Sequence, residues 1–127
     1  MSENELKIKL HCIGIGEAHG VLKRHLSPIT IGRIQRDLVQ APLTGPIMKY
    51  GTGQLCLPTS VIAGKEKAVG NVEPGEIVYT PQTSTICIFF EQTKPYSPVN
   101  KIGLITEGLE FFEKLRTGNS LSIQLCD

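Results

Sequence analysis

Residues 100–115 read NKIGLITEGLEFFEKL and join an apolar strand pattern to a helix pattern with almost no loop between them. We predict a strand over residues 99–105, followed by a short helix that Thr106 caps at its start and Gly118 ends. The apolar side chains of this helix form one wide stripe, made by Leu109, Phe111, Phe112 and Leu115. A single short helix with such a stripe can close one open end of a barrel.

The N-terminal part of the chain has the pattern of an antiparallel hairpin. Over residues 5–13, apolar and polar side chains alternate, which is the period of a strand with one buried face. The glycine-containing stretch at residues 14–20 predicts a loose loop, and residues 21–26 predict the returning strand. A helix then follows from Ser27 and Pro28 to about Gln40, with the Ser27 hydroxyl as its expected cap.

Short strands account for most of the remaining chain. Gly and Pro are frequent between residues 41 and 76, so we predict only brief strands at 47–50 and 54–57, with a turn at 51–53 and a surface loop at 63–71. Further strands are predicted at residues 76–80, 84–91, 99–105 and 120–126. Seven or eight strands and two helices, without regular strand–helix alternation, favour an all-β, closed or nearly closed antiparallel structure. The length of 127 residues suits one domain, 1–127.

Composition argues against several classes of partner. Thirteen Lys and Arg against twelve Asp and Glu leave a formal charge of +1, so we expect neither nucleic acid nor a membrane as partner. The first ten residues lack the apolar run of a signal peptide, and we predict a cytoplasmic protein. No cofactor or metal is expected, because His11, His19 and His25 lack metal-binding spacings.

The four cysteines lie far apart in apolar or alternating segments, at positions 12, 56, 87 and 126. Such a thiol usually packs as a small hydrophobe, so we interpret all four as buried and reduced. A disulfide between two strands is the alternative. The two glycine clusters, GIGEAHG and YGTGQ, are interpreted as hairpin turns and not as phosphate loops, because neither has the residues of such a motif.

Several segments, taken in order, resemble the cyclophilin barrel. They are EPGEIVYT, ICIFF, KIGLITEGLEFFEKL and GNSLSIQLCD, and HGVLKRHLSPITIGRIQRDL is similar to the passage from a second strand into a proline-started helix. The chain is most similar to the small prokaryotic cyclophilin-like proteins, a group that is mostly uncharacterised. The resemblance covers about residues 6–126. It implies an eight-stranded antiparallel barrel capped by two helices.

The resemblance is weaker where cyclophilin isomerases carry their chemistry. Those enzymes polarise the prolyl amide with an arginine, and the stretch GPIMKYGTGQLCLP at residues 45–58 contains none. Lys49 and Gln54 fall near the family's arginine and glutamine, and Phe90 aligns with its groove phenylalanine. A lysine lacks the planar fork that an arginine offers to a carbonyl.

The leading hypothesis is therefore a binding module with a groove for a peptide or a small ligand and without efficient prolyl isomerase activity. The alternatives are a divergent peptidyl-prolyl isomerase in which Lys49 or another cation replaces the guanidinium, and a structural protein that self-associates into a homo-oligomer. If the cyclophilin pattern holds, the groove is lined by Lys49, Tyr50, Gln54, Tyr79, Gln82, Phe90 and Tyr96. The other interpretation of Tyr79 and Phe90 is that they fill the core and its rim.

Overall fold

The computed structural model describes residues 5–50, 53–92, 94–95 and 97–126. Within these ranges the chain forms nine strands, one α-helix and one 3-10 helix. In chain order they are β1 Glu5–Cys12, β2 Gly16–Lys23, α1 Pro28–Gln40, β3 Leu43–Pro46, β4 Met48–Tyr50, β5 Gln54–Pro58, β6 Glu76–Thr80, β7 Thr85–Phe89, β8 Asn100–Glu107, the 3-10 helix Leu109–Lys114 and β9 Ser120–Leu125. Neither helix is long and apolar enough to cross a membrane.

The strands form one antiparallel sheet in the order β3-β9-β1-β2-β8-β6-β7-β5-β4. Its two outermost strands, β3 and β4, follow each other along the chain and are separated only by Ile47, so the sheet curls into a nearly closed barrel. Ile47 is buried, and its backbone exchanges hydrogen bonds of 2.9 Å with Gly118 and Asn119. The all-β barrel prediction is confirmed. There are nine strands and not eight because the chain on the two sides of Ile47 counts as two strands. The first, β3, pairs with β9, and the second, β4, pairs with β5.

The two helices close the barrel at opposite ends of β8. Ser27, just before α1, donates a hydrogen bond of 2.8 Å to the Lys101 carbonyl at the start of β8. The 3-10 helix begins just after the end of β8. Both helices bury apolar side chains in the main core, which also receives the inward residues of the strands; the helical ones are Ile31, Ile34, Leu38, Phe111 and Phe112. The predicted capping stripe is therefore confirmed.

The passage from β8 into the 3-10 helix differs from its prediction. Thr106 does not cap the helix, because β8 extends to Glu107 and the Thr106 hydroxyl donates to the His19 carbonyl at 3.2 Å. Gly108 occupies the capping position with a φ of 85°. A Cβ at Gly108 would lie 3.1 Å from the Ala18 Cα, so both the backbone conformation and the close contact favour glycine there. The helix ends at Lys114, before Gly118.

The first hairpin is tighter than predicted. β2 begins at Gly16, so most of the stretch that was predicted as a loose loop is strand, paired with β1 from Glu5↔Lys23 to Cys12↔Gly16. The turn is short, and Ile15 donates a backbone hydrogen bond of 3.1 Å to Cys12. Glycine and polar residues therefore continue the ladder here, because cross-strand pairing outweighs their weak strand propensity.

The start of α1 is capped by a residue distant in sequence. The Ser27 hydroxyl makes no cap, contrary to the prediction. The Glu66 carboxylate instead accepts hydrogen bonds from the backbone N–H groups of Ile29 at 2.9 Å and Thr30 at 2.8 Å, and from the Thr30 hydroxyl at 2.8 Å. Burial acts to raise the pKa of Glu66, but these hydrogen bonds and the charge of Lys67 outweigh it, so the pKa lies below its usual value.

Buried Asn100 fixes the loop that carries Glu66. Its side-chain oxygen accepts from the Glu66 backbone N–H at 2.8 Å, and its amide nitrogen donates to the Gly64 carbonyl at 2.9 Å and to Thr30 at 3.1 Å. Ala63 in the same loop is buried. The segment predicted as a surface loop is thus partly a structural element that joins α1 to β8. The turn predicted at residues 51–53 lies mostly outside the described residues.

Candidate ligand cavity on the outer face of the sheet

Strands β5, β6 and β7 are buried on both faces. Their inward side chains belong to the main core of the barrel, as Leu55, Ile77 and Ile88 do. Successive side chains of a strand point to opposite faces, so the residues between them lie on the outside of the barrel. There Cys56, Val78, Cys87 and Phe89 form a second apolar cluster, which Val72 and Val99 complete from outside these strands.

A cavity of about 430 Å³ opens beside this outer cluster. Its floor contains four buried residues, namely Cys56, Cys87, Phe89 and Val99, and its rim is mostly polar. The other lining residues are Tyr50, Gln54, Thr80, Gln82, Thr83, Thr85, Pro95 and Ser97. No charged side chain is among the lining residues that the structure describes. An apolar floor with a few hydrogen-bonding groups around it is the usual composition of a ligand site.

Two of the floor residues form a disulfide. Cys56 on β5 and Cys87 on β7 are directly opposite each other in the ladder, with their Cα atoms 4.1 Å apart, and their sulfurs are bonded. Cys12 and Cys126 are free, and Cys12 is buried. The interpretation of four reduced thiols is thus corrected for one pair, for which the alternative of a disulfide between two strands holds. The positions in sequence could not select this pair, because β5 and β7 are not consecutive strands.

Three of the predicted groove residues meet at this cavity. Tyr50, Gln54 and Gln82 all line it, and Tyr50 remains 48% exposed. Lys49 does not line the cavity, because it precedes Tyr50 on β4 and neighbouring residues of a strand face opposite ways. Its ammonium group lies 3.4 Å from the Glu113 carbonyl oxygen and 5.3 Å from the centre of the Phe90 ring.

Tyr79 and Phe90 do not line this cavity, and both pack as the alternative interpretation expected, in the core or at its rim. Tyr79 is 0% exposed, and its hydroxyl donates to the Val61 carbonyl at 2.6 Å and accepts from the Ala63 N–H at 3.1 Å. Phe90 packs against the main core, whereas Phe89 faces the cavity. Phe89 and Phe90 are neighbours in the chain, and a shift of one residue reverses the face of a strand. Tyr96 lies outside the described residues.

A second cavity, of about 390 Å³, lies near the first hairpin. Its lining residues include His11, Cys12, Thr44, Asn119 and Ser122. The His11 Nδ1 atom is buried there without a hydrogen-bond partner in the described structure. In all the residues that the structure describes, no three His, Cys, Asp or Glu side chains come together as a metal site would require. His19 and Glu17 form a pair, with the His19 Nε2 atom 3.0 Å from a Glu17 carboxylate oxygen.

A nearly closed antiparallel barrel with a helix at each end is the architecture expected of the cyclophilin-like class of barrel protein. A family model described as cyclophilin-like matches residues 7–124. The chain therefore belongs to the cyclophilin-like family. No curated protein matches it significantly.

Two solved structures share the fold. The solution structure of the hypothetical protein AF2241 from Archaeoglobus fulgidus is 24% identical, with a TM-score of 0.79, and the match covers 99% of this chain and 100% of that one. The structure of McbB in complex with tryptophan is 12% identical, with a TM-score of 0.72, and the match covers 92% of this chain and 44% of that one. At these identities the similarity establishes the fold alone.

Proposed function

We propose that the protein is a binding module that takes an uncharged small molecule or peptide segment into the outer-face cavity. The observation that carries this proposal is the combination of an apolar floor with an uncharged polar rim in a volume of about 430 Å³. That volume is within the range of about 300–1,000 Å³ that ligand pockets occupy. A location in the cytoplasm and self-association stay predictions.

The lining residues indicate the chemistry of the ligand. A charged group brought against Phe89, Val99 and the disulfide would lose its hydration without gaining a partner of opposite charge, which is costly. The amides of Gln54 and Gln82 and the threonine hydroxyls can instead donate to and accept from carbonyl, amide or hydroxyl groups. McbB, which shares the fold, was solved with tryptophan bound. The preference for a neutral ligand comes from the lining residues of this chain.

The same composition argues against efficient prolyl isomerase activity. Cyclophilin isomerases polarise the prolyl amide with the guanidinium of an arginine, a cation that stabilises the charge developing in the transition state. No lysine or arginine is among the described residues that line the cavity. Lys49, the cation proposed for the alternative function, is in contact with Phe90 and the Glu113 carbonyl. We therefore keep the divergent isomerase as an outcome for experiment to decide.

A ligand screen by thermal shift tests the proposal directly, because a ligand that binds only the folded state raises the melting temperature with its concentration. Gln82→Trp places a large ring at the rim, and Gln40→Trp places the same ring on the exposed end of α1. Neutral hits should stabilise the wild type and Gln40→Trp and lose their effect on Gln82→Trp. Hits that stabilise all three equally would place the ligand site elsewhere.

A proline isomerisation assay on the same proteins decides the alternative. We expect a rate close to the uncatalysed one for the wild type. A rate near that of a true cyclophilin, lost in Lys49→Ala, would establish the isomerase.

A further inference from the structure

We propose that Cys56 and Cys87 form a reversible thiol–disulfide site, which a low-molecular-weight thiol reduces in the folded protein by entering through the outer-face cavity. Both half-cystines line that cavity. Their residues are only 6% and 3% exposed, so the cavity is the route by which a small thiol can reach the sulfurs. A disulfide sealed inside the barrel core would offer no such route.

The surroundings of the two sulfurs are unequal. The hydroxyls of Thr80 and Thr85 lie 3.6 and 3.5 Å from the Cys87 sulfur. A disulfide sulfur carries no hydrogen, so both hydroxyls act as donors to it. When the bond breaks, the same hydroxyls can stabilise a thiolate on Cys87. Because hydroxyl groups contact the Cys87 sulfur at these distances, we assign Cys87 as the leaving group.

The reaction then proceeds in two steps. The external thiolate attacks the Cys56 sulfur, the bond between Cys56 and Cys87 breaks, and its electron pair goes to Cys87 as a thiolate. Cys56 now carries a mixed disulfide with the external thiol. A second external thiolate attacks the external sulfur of that mixed disulfide, releases the oxidised small-molecule disulfide and leaves Cys56 as a thiolate, which takes a proton from water. Two thiols are oxidised, and one protein disulfide is reduced.

The fold does not depend on the bond for the pairing of these strands. β5 and β7 are paired over their whole length, from Gln54↔Phe89 to Pro58↔Thr85, and β7 also pairs with β6. Reduction therefore changes the chemistry of the cavity floor, from a disulfide to two thiols, while the ladder stays in place. The site can be assayed without any ligand, so its failure is distinguishable from failure of the proposed binding function.

The test measures reduction in native buffer by 2-mercaptoethanol, a small thiol with no charged group apart from the reacting sulfur. Samples are quenched with an alkylating reagent and analysed by peptide mass spectrometry. We expect a rate that is proportional to the 2-mercaptoethanol concentration and insensitive to low urea, and an intermediate with 2-mercaptoethanol on Cys56 and the alkyl group on Cys87. A rate that rises steeply with urea and does not depend on the thiol would show that reduction requires unfolding. Absence of reduction in native buffer would also overturn the proposal.

Two pairs of variants test the route and the leaving group. Gln82→Trp should slow reduction about tenfold by restricting access, since exchange rates depend on access as well as on thiolate fraction. The matched variant Gln40→Trp should leave the rate unchanged. The double change Thr80→Val and Thr85→Val should slow it about threefold, because a leaving thiol with a higher pKa leaves more slowly. Thr44→Val, on β3, is the control. Equal rates in all these variants would overturn the mechanism.

Discussion

The inner and the outer faces of strands β5, β6 and β7 are both apolar, but they differ in how they are covered. The inner face is sealed by the rest of the barrel, and even the hydroxyl of Tyr79 has its hydrogen bonds satisfied there. The outer face is covered only partly, which leaves a cavity beside Phe89 and the disulfide. The inner set of residues on these strands thus builds the core, and the alternate set is left available for the proposed binding.

The largest expected effect on stability comes from comparing substitutions at two adjacent residues of β7, one on each face of the sheet. Ile88→Ala leaves a hole in the sealed face and should reduce the free energy of unfolding by about 2–5 kcal/mol. Phe89→Leu keeps an apolar side chain on the outer face and should cost less, about 1.5 kcal/mol or below. Urea denaturation measures both. In the thermal-shift screen, Phe89→Leu should weaken ligand binding and Ile88→Ala should not. The reverse pattern would place the site inside the barrel.

The tyrosines of the two faces provide the second comparison. Tyr79→Phe removes the hydroxyl that satisfies Val61 and Ala63, and leaving those buried groups unpaired should cost about 1–3 kcal/mol. Tyr50→Phe, at the exposed rim, should change the unfolding free energy by less than about 0.5 kcal/mol. Equal losses in urea denaturation would mean that Tyr50 also has a structural role. A cavity ligand should bind Tyr50→Phe differently from the wild type. It should bind Tyr79→Phe as it binds the wild type.

The third comparison concerns the Glu66 carboxylate, which caps the start of α1 and lies outside the cavity lining. Glu66→Gln should cost about 1 kcal/mol at pH 7, the usual value of a helix cap. The pKa of Glu66 is depressed in the folded state, so its stabilisation is fully present above the ordinary value of 4.5 and is lost as pH falls through the folded value. Urea denaturation at several pH values should show the two proteins converging in acid. A constant difference would contradict the assigned charge interaction.

The smallest effect on stability is expected at the rim. Gln54→Ala should change the unfolding free energy by less than about 0.5 kcal/mol, as surface substitutions usually do. It should nevertheless reduce the shift caused by a cavity ligand, because one hydrogen-bonding group is lost. Gln124→Ala, on β9 and outside the cavity, is the matched control. A ligand shift unaffected by Gln54→Ala would remove that residue from the site.

Patterns within short segments predicted the strands and helices well. Alternation over β1 and the spacing of Ile31, Ile34 and Leu38 in α1 depend only on neighbours in the chain, and the structure has these elements where they were expected. The cavity was predicted only in part. Tyr50, Gln54 and Gln82 line it, and so does Phe89. Phe89 was not expected there, because a strand pattern that is apolar on both faces does not show which face is which.

The amino-acid sequence by itself determined the class of fold, since alternating short strands, a proline-started helix and the final amphipathic helix are encoded locally. Only the tertiary structure decided that Cys56 meets Cys87, that Glu66 caps α1 and that Asn100 holds the intervening loop. Each of these contacts joins residues that are distant in the chain, and pairing between non-consecutive strands brings them together. Local propensity carries no information about that pairing, because it follows from how the whole sheet closes.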